Sequence, residues 1–423
     1  MDRNKQDSHI YFMKGGVYMA IFYILAEKKN KVLYRMCIYV MIGFLLGNFL
    51  ADKEFFQAEQ SLSMYSGSYA LMDGDTGRVL KGKEDMTPMA NASTTKILTC
   101  IVTLENCNLE EVVSISANAA SQPRVKMGIK EGEQYSLKDM VYGLMLESYN
   151  DCAVAIAEHV AGDTIKFAEM LNQKAVEIGC KDTYFITPNG LDAEDENGFH
   201  HTTAEDLCRI MAYCTWESPM KDLFLEITQT RNYASFVNRN AFLNQMDGVL
   251  TGKTGFTNKA GYCYVAAMEV NGERYCIALL ACGWPNNKNY KWKDARTLFE
   301  YGMETYDIQH VKVNVLEQSI KIGGYVEHAE FSKMNQDGVL KLQAEENTYQ
   351  LLMRQDEKIE SEIVLYTDVQ LPIQAGTPMG VCNLYLDDVL IDRVPLKASE
   401  NVHIWGWKEI FYTIFYQFLT FSL

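Results

Sequence analysis

The 423-residue chain lacks a long basic run, and its 39 Lys and Arg are outnumbered by 55 Asp and Glu, for a net charge of −16. That balance excludes the cationic footprint by which proteins hold nucleic acid. Its 11 cysteines form no C-x-x-C pair and show no metal-type spacing, so neither a metal nor a cofactor is expected. Cys100, Cys152, Cys208, Cys263, Cys276 and Cys282 sit in apolar segments and read as small core residues. Exported chains in oxidising surroundings tend to pair their cysteines, so free thiols in one would suit a reducing habitat. The apolar run 36–51 is also shorter than the ~20 residues of a spanning helix.

That run follows Lys28, Lys29, Lys31 and Arg35 and ends on Ala51, the layout of an export signal. An uncleaved membrane anchor is the alternative. Lys14-Gly15-Gly16 lies just before Met19, and the codons AAA GGA GGT would spell a bacterial ribosome-binding sequence there. Met19 is therefore a candidate start, with 1–18 as translated leader.

The expected organisation is a leader and signal peptide over 1–51, a polar linker over 52–66, a catalytic domain over 67–306, a β-rich domain over 307–399 and an anchor over 400–423. Strand patterns occupy both sequence ends of the catalytic region and helical patterns its middle. The expected class is therefore α+β, with helices packed on one antiparallel sheet. Asn271-Gly272 marks a hairpin within it. After His403 the chain is dense in Trp, Phe, Tyr, Ile and Leu, while Glu409, Thr413, Gln417 and Thr420 fall on one helical stripe. That predicts a helix lying in a membrane interface, with Trp405 and Trp407 at headgroup level; the plainer reading is a core helix of the β-rich domain.

Three short motifs carry chemistry. Ser93-Thr94-Thr95-Lys96 opens an apolar helical face, and i, i+3 spacing lets the hydroxyl meet the amine. A hydroxyl needs a base to become a nucleophile, and a lysine serves only when its pKa falls well below about 10.4. Ser148-Tyr149-Asn150 stands in a polar break between two helical patterns. There Ser148 can relay a proton and Asn150 can bind a carbonyl, though Ser148 alone would pass for a helix cap. Lys253-Thr254-Gly255 lies on a predicted strand, where Lys253 can hold a carboxylate or depress Lys96. A Lys on an edge strand is otherwise ordinary.

Each motif is weak alone. Ser218-Pro219-Met220-Lys221 repeats the first and reads as surface structure, and Ser399-Glu400-Asn401 repeats the second far from any core. Order and setting single out the first copies, and this is the triple shared by penicillin-binding proteins and β-lactamases. Together with Tyr69–Leu80, Asn91–Lys96, Leu146–Ala155, Pro188–Asp192 and Asp247–Thr257, they make the chain resemble the low-molecular-mass penicillin-binding proteins, the D-alanyl-D-alanine carboxypeptidases. The resemblance implies a β-lactamase/transpeptidase-like domain, then a β-rich module and an amphipathic tail.

By that resemblance Ser93 is the acylated nucleophile, Lys96 its base and Ser148 a catalytic hydroxyl. Asn150, Lys253, Thr254, Gly255 and Phe256 bind substrate, and the N–H groups of Ser93 and Phe256 form the oxyanion hole. A family histidine falls near His200 and His201, and neither receives a role. Tyr149 and Asn189 stand where the family often has other residues. The implied partners are the peptidoglycan stem peptide, β-lactams as inhibitors and the membrane surface, at the outer face of the cytoplasmic membrane. The alternatives are a β-lactamase, disfavoured by the want of a clear deacylating Glu segment, and a catalytically weak penicillin-binding sensor or scaffold.

Overall fold

The computed structural model describes residues 62–420, apart from 314–317, 323–324, 327–337, 345–346, 367–369 and 405. The expected leader and signal peptide, most of the linker and Trp405 lie outside the described residues.

Strands from both ends of the catalytic region make one antiparallel sheet. It consists of β1 (Ser68–Asp73), β2 (Val79–Lys83), β3 (Val249–Thr257), β4 (Gly261–Val270) and β5 (Glu273–Leu280), in the order β2-β1-β5-β4-β3. β1 is buried along its whole length because both of its faces are covered. Ala70, Met72, Cys276 and Ala278 face the main core, while Leu71 and Tyr275 lie against Gly302 on the other side. Asn271 and Gly272 take φ of 53° and 87°, as a tight β4–β5 hairpin requires.

The middle of the chain supplies helices α1 (Lys96–Asn106), α2 (Leu137–Tyr142), α3 (Asn150–Ala161), α4 (Thr164–Ile178), α5 (Ala204–Ala212) and α6 (Lys221–Gln229). α7 (Tyr290–Thr305) closes the domain. α1 and α3 are buried at nearly every position through their first two turns, so their N-termini are held deep in the protein. α5 packs on one face of the sheet and α7 on the other. Asp294 of α7 accepts hydrogen bonds from the Tyr65 and Ser66 amides and the Ser66 hydroxyl, which pins the chain entering β1.

A β-rich region follows, from β6 (Asp307–Val313) through β12 (Val389–Ala398), with a five-stranded sheet and a separate two-stranded one. Its five-stranded part runs β7 (Gln318–Ile322), β8 (Gly338–Gln343), β12, β11 (Pro378–Leu386), β10 (Glu360–Leu365), and β6 pairs with β9 (Asn347–Met353). Its own core gathers Leu340, Leu342, Ile373, Met379, Cys382, Leu384, Val394 and Leu396. The chain continues into α8 (Trp407–Thr420). No helix among the described residues is long and apolar enough to cross a membrane.

The two domains meet on Arg78, at the β1–β2 turn. Its side chain is only 2% exposed and bonds Glu357 through both terminal nitrogens, at 2.9 and 3.1 Å. It also donates to Asp387 at 2.8 Å and to the Leu352 carbonyl at 2.7 Å, and its guanidinium lies over the Tyr306 ring. Burial pushes the Glu357 carboxyl up, but Arg78 and the Arg354 amide outweigh it and hold the group below the usual carboxylate range. Removing one partner of a buried pair typically costs about 3–5 kcal/mol. Arg354 also reaches Glu357, at 3.3 Å, which places Arg78→Met at the low end of that range. Urea unfolding should show this loss, and adding Glu357→Gln should recover part of it. A depressed carboxyl contributes stability above its unfolded pKa and loses it as the pH falls. The penalty of Arg78→Met should therefore shrink on acidification.

Candidate active site

The site forms where α1, α3 and β3 converge. Ser93 lies in a short 3-10 turn, Ala92–Thr95, that runs straight into α1, so Lys96 is the first α-helical residue. Ser93 and Lys96 sit one turn apart, and the amine reaches the hydroxyl oxygen at 2.8 Å. α2 leads into a single wide turn, Gly143–Glu147, which ends where Ser148 adopts φ 66°. A left-handed serine is uncommon, and such backbones persist where surrounding contacts over-determine them. Here Lys96 Nζ donates to the Ser148 carbonyl at 3.0 Å, and the Asn150 amide donates to the Val125 carbonyl at 2.8 Å. The chain then enters α3 at Asn150, whose Oδ1 takes a hydrogen bond from Lys96 at 2.8 Å.

β3 is the edge strand, and it brings Lys253 in from the opposite side. Lys253 Nζ donates to Ser148 Oγ at 2.8 Å and to the Thr254 carbonyl at 3.1 Å. Gly255 permits this approach. A Cβ on Gly255 would come within 3.0 Å of the Ser93 amide nitrogen and the Asn91 carbonyl; one on Gly252 would strike the Tyr264 hydroxyl at 2.6 Å. Ser93, Lys96, Ser148, Asn150, Lys253, Thr254 and Gly255 are thus brought together. Phe256 stands at the rim, partly exposed, with its ring on Tyr262.

Both amines are buried, and their hydrogen-bond partners are hydroxyl and carbonyl oxygens. Burial first, and then the charge of Lys253, hold the Lys96 amine well below the usual lysine range. Burial brings Lys253 down to about 7. A neutral Lys96 has two N–H bonds and one lone pair. The Asn150 and Ser148 carbonyl oxygens can accept only, so they take the two protons and leave the lone pair for the Ser93 hydroxyl. The arrangement can therefore remove a proton from Ser93.

The loop 184–191 and one histidine fix the turn that carries Ser93; in the sequence only the resemblance pointed to Pro188–Asp192 and to the His200–His201 pair, and it gave neither histidine a role. His200 is buried and stacked on Phe185. Its Nδ1 accepts from the Ile186 amide at 3.0 Å, so Nε2 carries the proton and donates to Thr95 Oγ1 at 2.9 Å. Burial, with the neighbouring His201 second, lowers its pKa to about 3, so the ring stays neutral. Thr99 donates to the Pro188 carbonyl at 2.7 Å, and the Asn189 carbonyl lies 3.4 Å from Ser93 Oγ. Gly190, at φ 78°, fits against Ala92 so closely that a Cβ would sit 2.0 Å from the Ala92 carbonyl oxygen. His201 points away, to Asp182. Tyr149 packs against Phe236.

The second copies of the motifs have other work. Ser218 is buried, contrary to the expected surface position, because its hydroxyl donates to Glu105 at 2.7 Å, while Lys221 caps the Trp216 carbonyl. Ser399 and Asn401 tie turns of the second domain to the Lys341 carbonyl and the Ala375 amide.

The catalytic region matches the family model of the D-alanyl-D-alanine carboxypeptidases over residues 55–281, and 311–403 match the C-terminal domain of penicillin-binding protein 5. The chain is 26% identical over 381 residues to the D-alanyl-D-alanine carboxypeptidase DacF of Bacillus subtilis, covering 86% of this chain and 93% of that one. It is 29% identical over 362 residues to DacD of Escherichia coli, covering 81% and 88%. Penicillin-binding protein 5 of Haemophilus influenzae superposes with a TM-score of 0.62 at 23% identity, covering 81% and 99%, and so shares the fold. The chain belongs to the D-alanyl-D-alanine carboxypeptidase family of low-molecular-mass penicillin-binding proteins and is a serine peptidase.

Proposed function

We propose that Ser93 is the residue acylated by a peptide ending in D-Ala-D-Ala, with Lys96 as its general base. The observation that carries this reading is Lys96 Nζ, buried, 2.8 Å from Ser93 Oγ and depressed in pKa. The peptide lies extended along the edge strand β3. Its terminal carboxylate meets a protonated Lys253 and Thr254. Ser93 Oγ attacks the scissile carbonyl as its proton passes to Lys96. The N–H groups of Ser93 and Phe256 receive the negative oxygen; the close approach of Gly255 to the Ser93 amide supports that pairing. The intermediate collapses and the C–N bond breaks. The departing D-alanine nitrogen takes its proton from Lys96 through Ser148 Oγ, which is 3.3 Å from Lys96 and 2.8 Å from Lys253. Water then attacks the ester, losing its proton to Lys96, and Ser93 is released as the hydroxyl.

Glu147, the carboxylate next to Ser148, accepts from Arg239 at 2.7 Å and from the Val237 amide at 2.8 Å. It is already bound on both oxygens, which disfavours a β-lactamase-like deacylating role.

We further propose that α8 holds the enzyme on the outer face of the cytoplasmic membrane. Trp407, Phe411, Ile414 and Phe418 on it are each more than half exposed. Exposed apolar side chains in such density suit a helix lying in a headgroup layer. The stripe residues Glu409, Thr413, Gln417 and Thr420 have side chains outside the described set. The full chain should sediment with anionic phospholipid vesicles, and removing residues 404–423 should leave it in the supernatant; sedimentation of the shortened chain would refute the anchor.

Incubated with a D-Ala-D-Ala pentapeptide, the chain should release D-alanine, and Ser93→Ala should abolish release. Stable β-lactam labelling of Ser93 without release would favour a sensor, and rapid β-lactam turnover a lactamase. Lys253→Ala should lower kcat/KM on the peptide by about 10²-fold or more, since it removes one partner of a desolvated charge pair. It also removes a neighbouring cation, so the Lys96 pKa should rise and the acid limb of the acylation profile should move to higher pH. His200→Phe keeps the ring's volume but removes one donor from the Thr95 hydroxyl and strands the Ile186 amide. It should cost about 1–3 kcal/mol in denaturant unfolding and lower the acylation rate with little change in the pH profile.

A further inference from the structure

Cys107, Glu111 and His159 each offer one donor atom, and the three donors lie within 4.8 Å of one another at the ends of α1 and α3 opposite Lys96 and Asn150. Cys107 caps the C-terminus of α1 and is a free thiol. His159 stands in the last turn of α3, with Nε2 2.9 Å from Glu111 Oε2. The turn between Cys107 and Glu111 is held from within: the Asn108 amide donates to Glu111 Oε1 at 2.7 Å and the Glu111 amide to the Asn108 carbonyl at 3.0 Å. The Leu137 amide, at 2.8 Å from the Glu111 carbonyl, ties that turn to α2. Cys107 and His159 are partly buried and Glu111 is exposed, so the cluster is reachable from solvent.

An ion pair of Glu111 with His159 would need no thiol. A thiolate, an imidazole and a carboxylate with one open side are the donor set of a four-coordinate zinc site completed by water. Tetrahedral zinc at about 2.0–2.3 Å from each donor needs donor separations of about 3.4–3.6 Å. The cluster reaches that by opening the Glu111–His159 contact slightly and drawing the Cys107 sulfur inward. Cysteine spacing alone gave no hint of this, because the histidine arrives from another helix, 52 residues beyond Cys107.

We propose that Cys107, Glu111 and His159 bind one Zn²⁺ ion, which staples the C-terminal ends of α1 and α3. Those are the two helices whose first residues are Lys96 and Asn150, so the ion would sit at the far end of the scaffold that positions the base. Binding releases the thiol proton of Cys107 to water. His159 coordinates through Nε2 and keeps its proton on Nδ1.

The test uses the full chain, reduced and without a histidine tag. One equivalent of Zn²⁺ should be withheld from a chromophoric chelator. Co²⁺ in its place should give the near-ultraviolet thiolate charge-transfer band and the visible bands of a tetrahedral ion. Cys107→Ser should abolish the charge-transfer band and weaken Zn²⁺ binding by more than about 100-fold, beyond what loss of a supporting residue costs. Cys180→Ser, at the other partly buried thiol of the catalytic domain, should change neither. Fluorescent-penicillin labelling serves as the folding control. If Cys107→Ser fails that control, His159→Gln takes its place, with loss of the tetrahedral bands expected. Zn²⁺ should raise the unfolding temperature of the wild type but not of a folded ligand variant. Failure to retain Zn²⁺, or a charge-transfer band that survives in Cys107→Ser, would overturn the proposal.

Discussion

The site depends on keeping two lysine amines buried on either side of one serine hydroxyl. Ser148 Oγ lies 2.8 Å from Lys253 and 3.3 Å from Lys96. Two cations at that range in a water-poor pocket repel strongly, so one amine gives up its proton. The hydrogen bonds decide which. Lys96 faces two carbonyl oxygens that need only N–H donors, and its third direction meets a hydroxyl that can donate back. Lys253 donates to the Thr254 carbonyl and the Ser148 hydroxyl, and neither contact directs a lone pair at Ser93. The proton therefore belongs on Lys253, and repulsion and burial together leave the Lys96 amine neutral.

The rest of the catalytic domain reads as support for that juxtaposition. α1 and α3 begin at Lys96 and Asn150 and run into the core, so the two residues cannot drift without moving whole helices. β3 delivers Lys253 from an edge, where Gly255 leaves out the side chain that would press against the Ser93 turn. Ser148 is left-handed, and the amines that need its oxygens also hold it in place. The turn that carries Ser93 is clamped from outside by His200 through Thr95. A neutral histidine suits that task better than a charged one, because it can accept an amide and donate to a hydroxyl at once.

Much of this was legible in the sequence, and what escaped shares one property. Ser93, Lys96, Ser148 and Lys253 could be picked out because the chemistry demands those residue types in local patterns. The strands at the two ends and the helices between them were legible from hydrophobic period. His200 could not be assigned, because its partners, Ile186 and Thr95, are 14 and 105 residues away. Arg78 sits in a turn where an arginine is unremarkable, and its buried carboxylate comes from the other domain, 279 residues on. Ser218 read as surface beside Pro219 and proved buried, since Glu105 of α1 supplies an acceptor that no local window contains. Periodicity reports which face a residue takes, not which distant group will satisfy it.

Burying the amines also sets the site against the stability of the fold. Lys253 titrates near 7 in the folded chain and at the ordinary lysine value when unfolded, so the unfolded chain holds more protons between those limits. Over that window this group's contribution to stability improves as the pH rises, while the protonated form that would hold a carboxylate is lost. A carboxylate held at Lys253, as proposed, would reverse the conflict: it favours the charged amine and raises the pKa toward the ordinary range. The ammonium ion is then strongest when substrate is present, which is also when its field most favours a neutral Lys96. With the roles proposed for Lys253 and Lys96, substrate binding and base formation would thus be coupled through one buried charge.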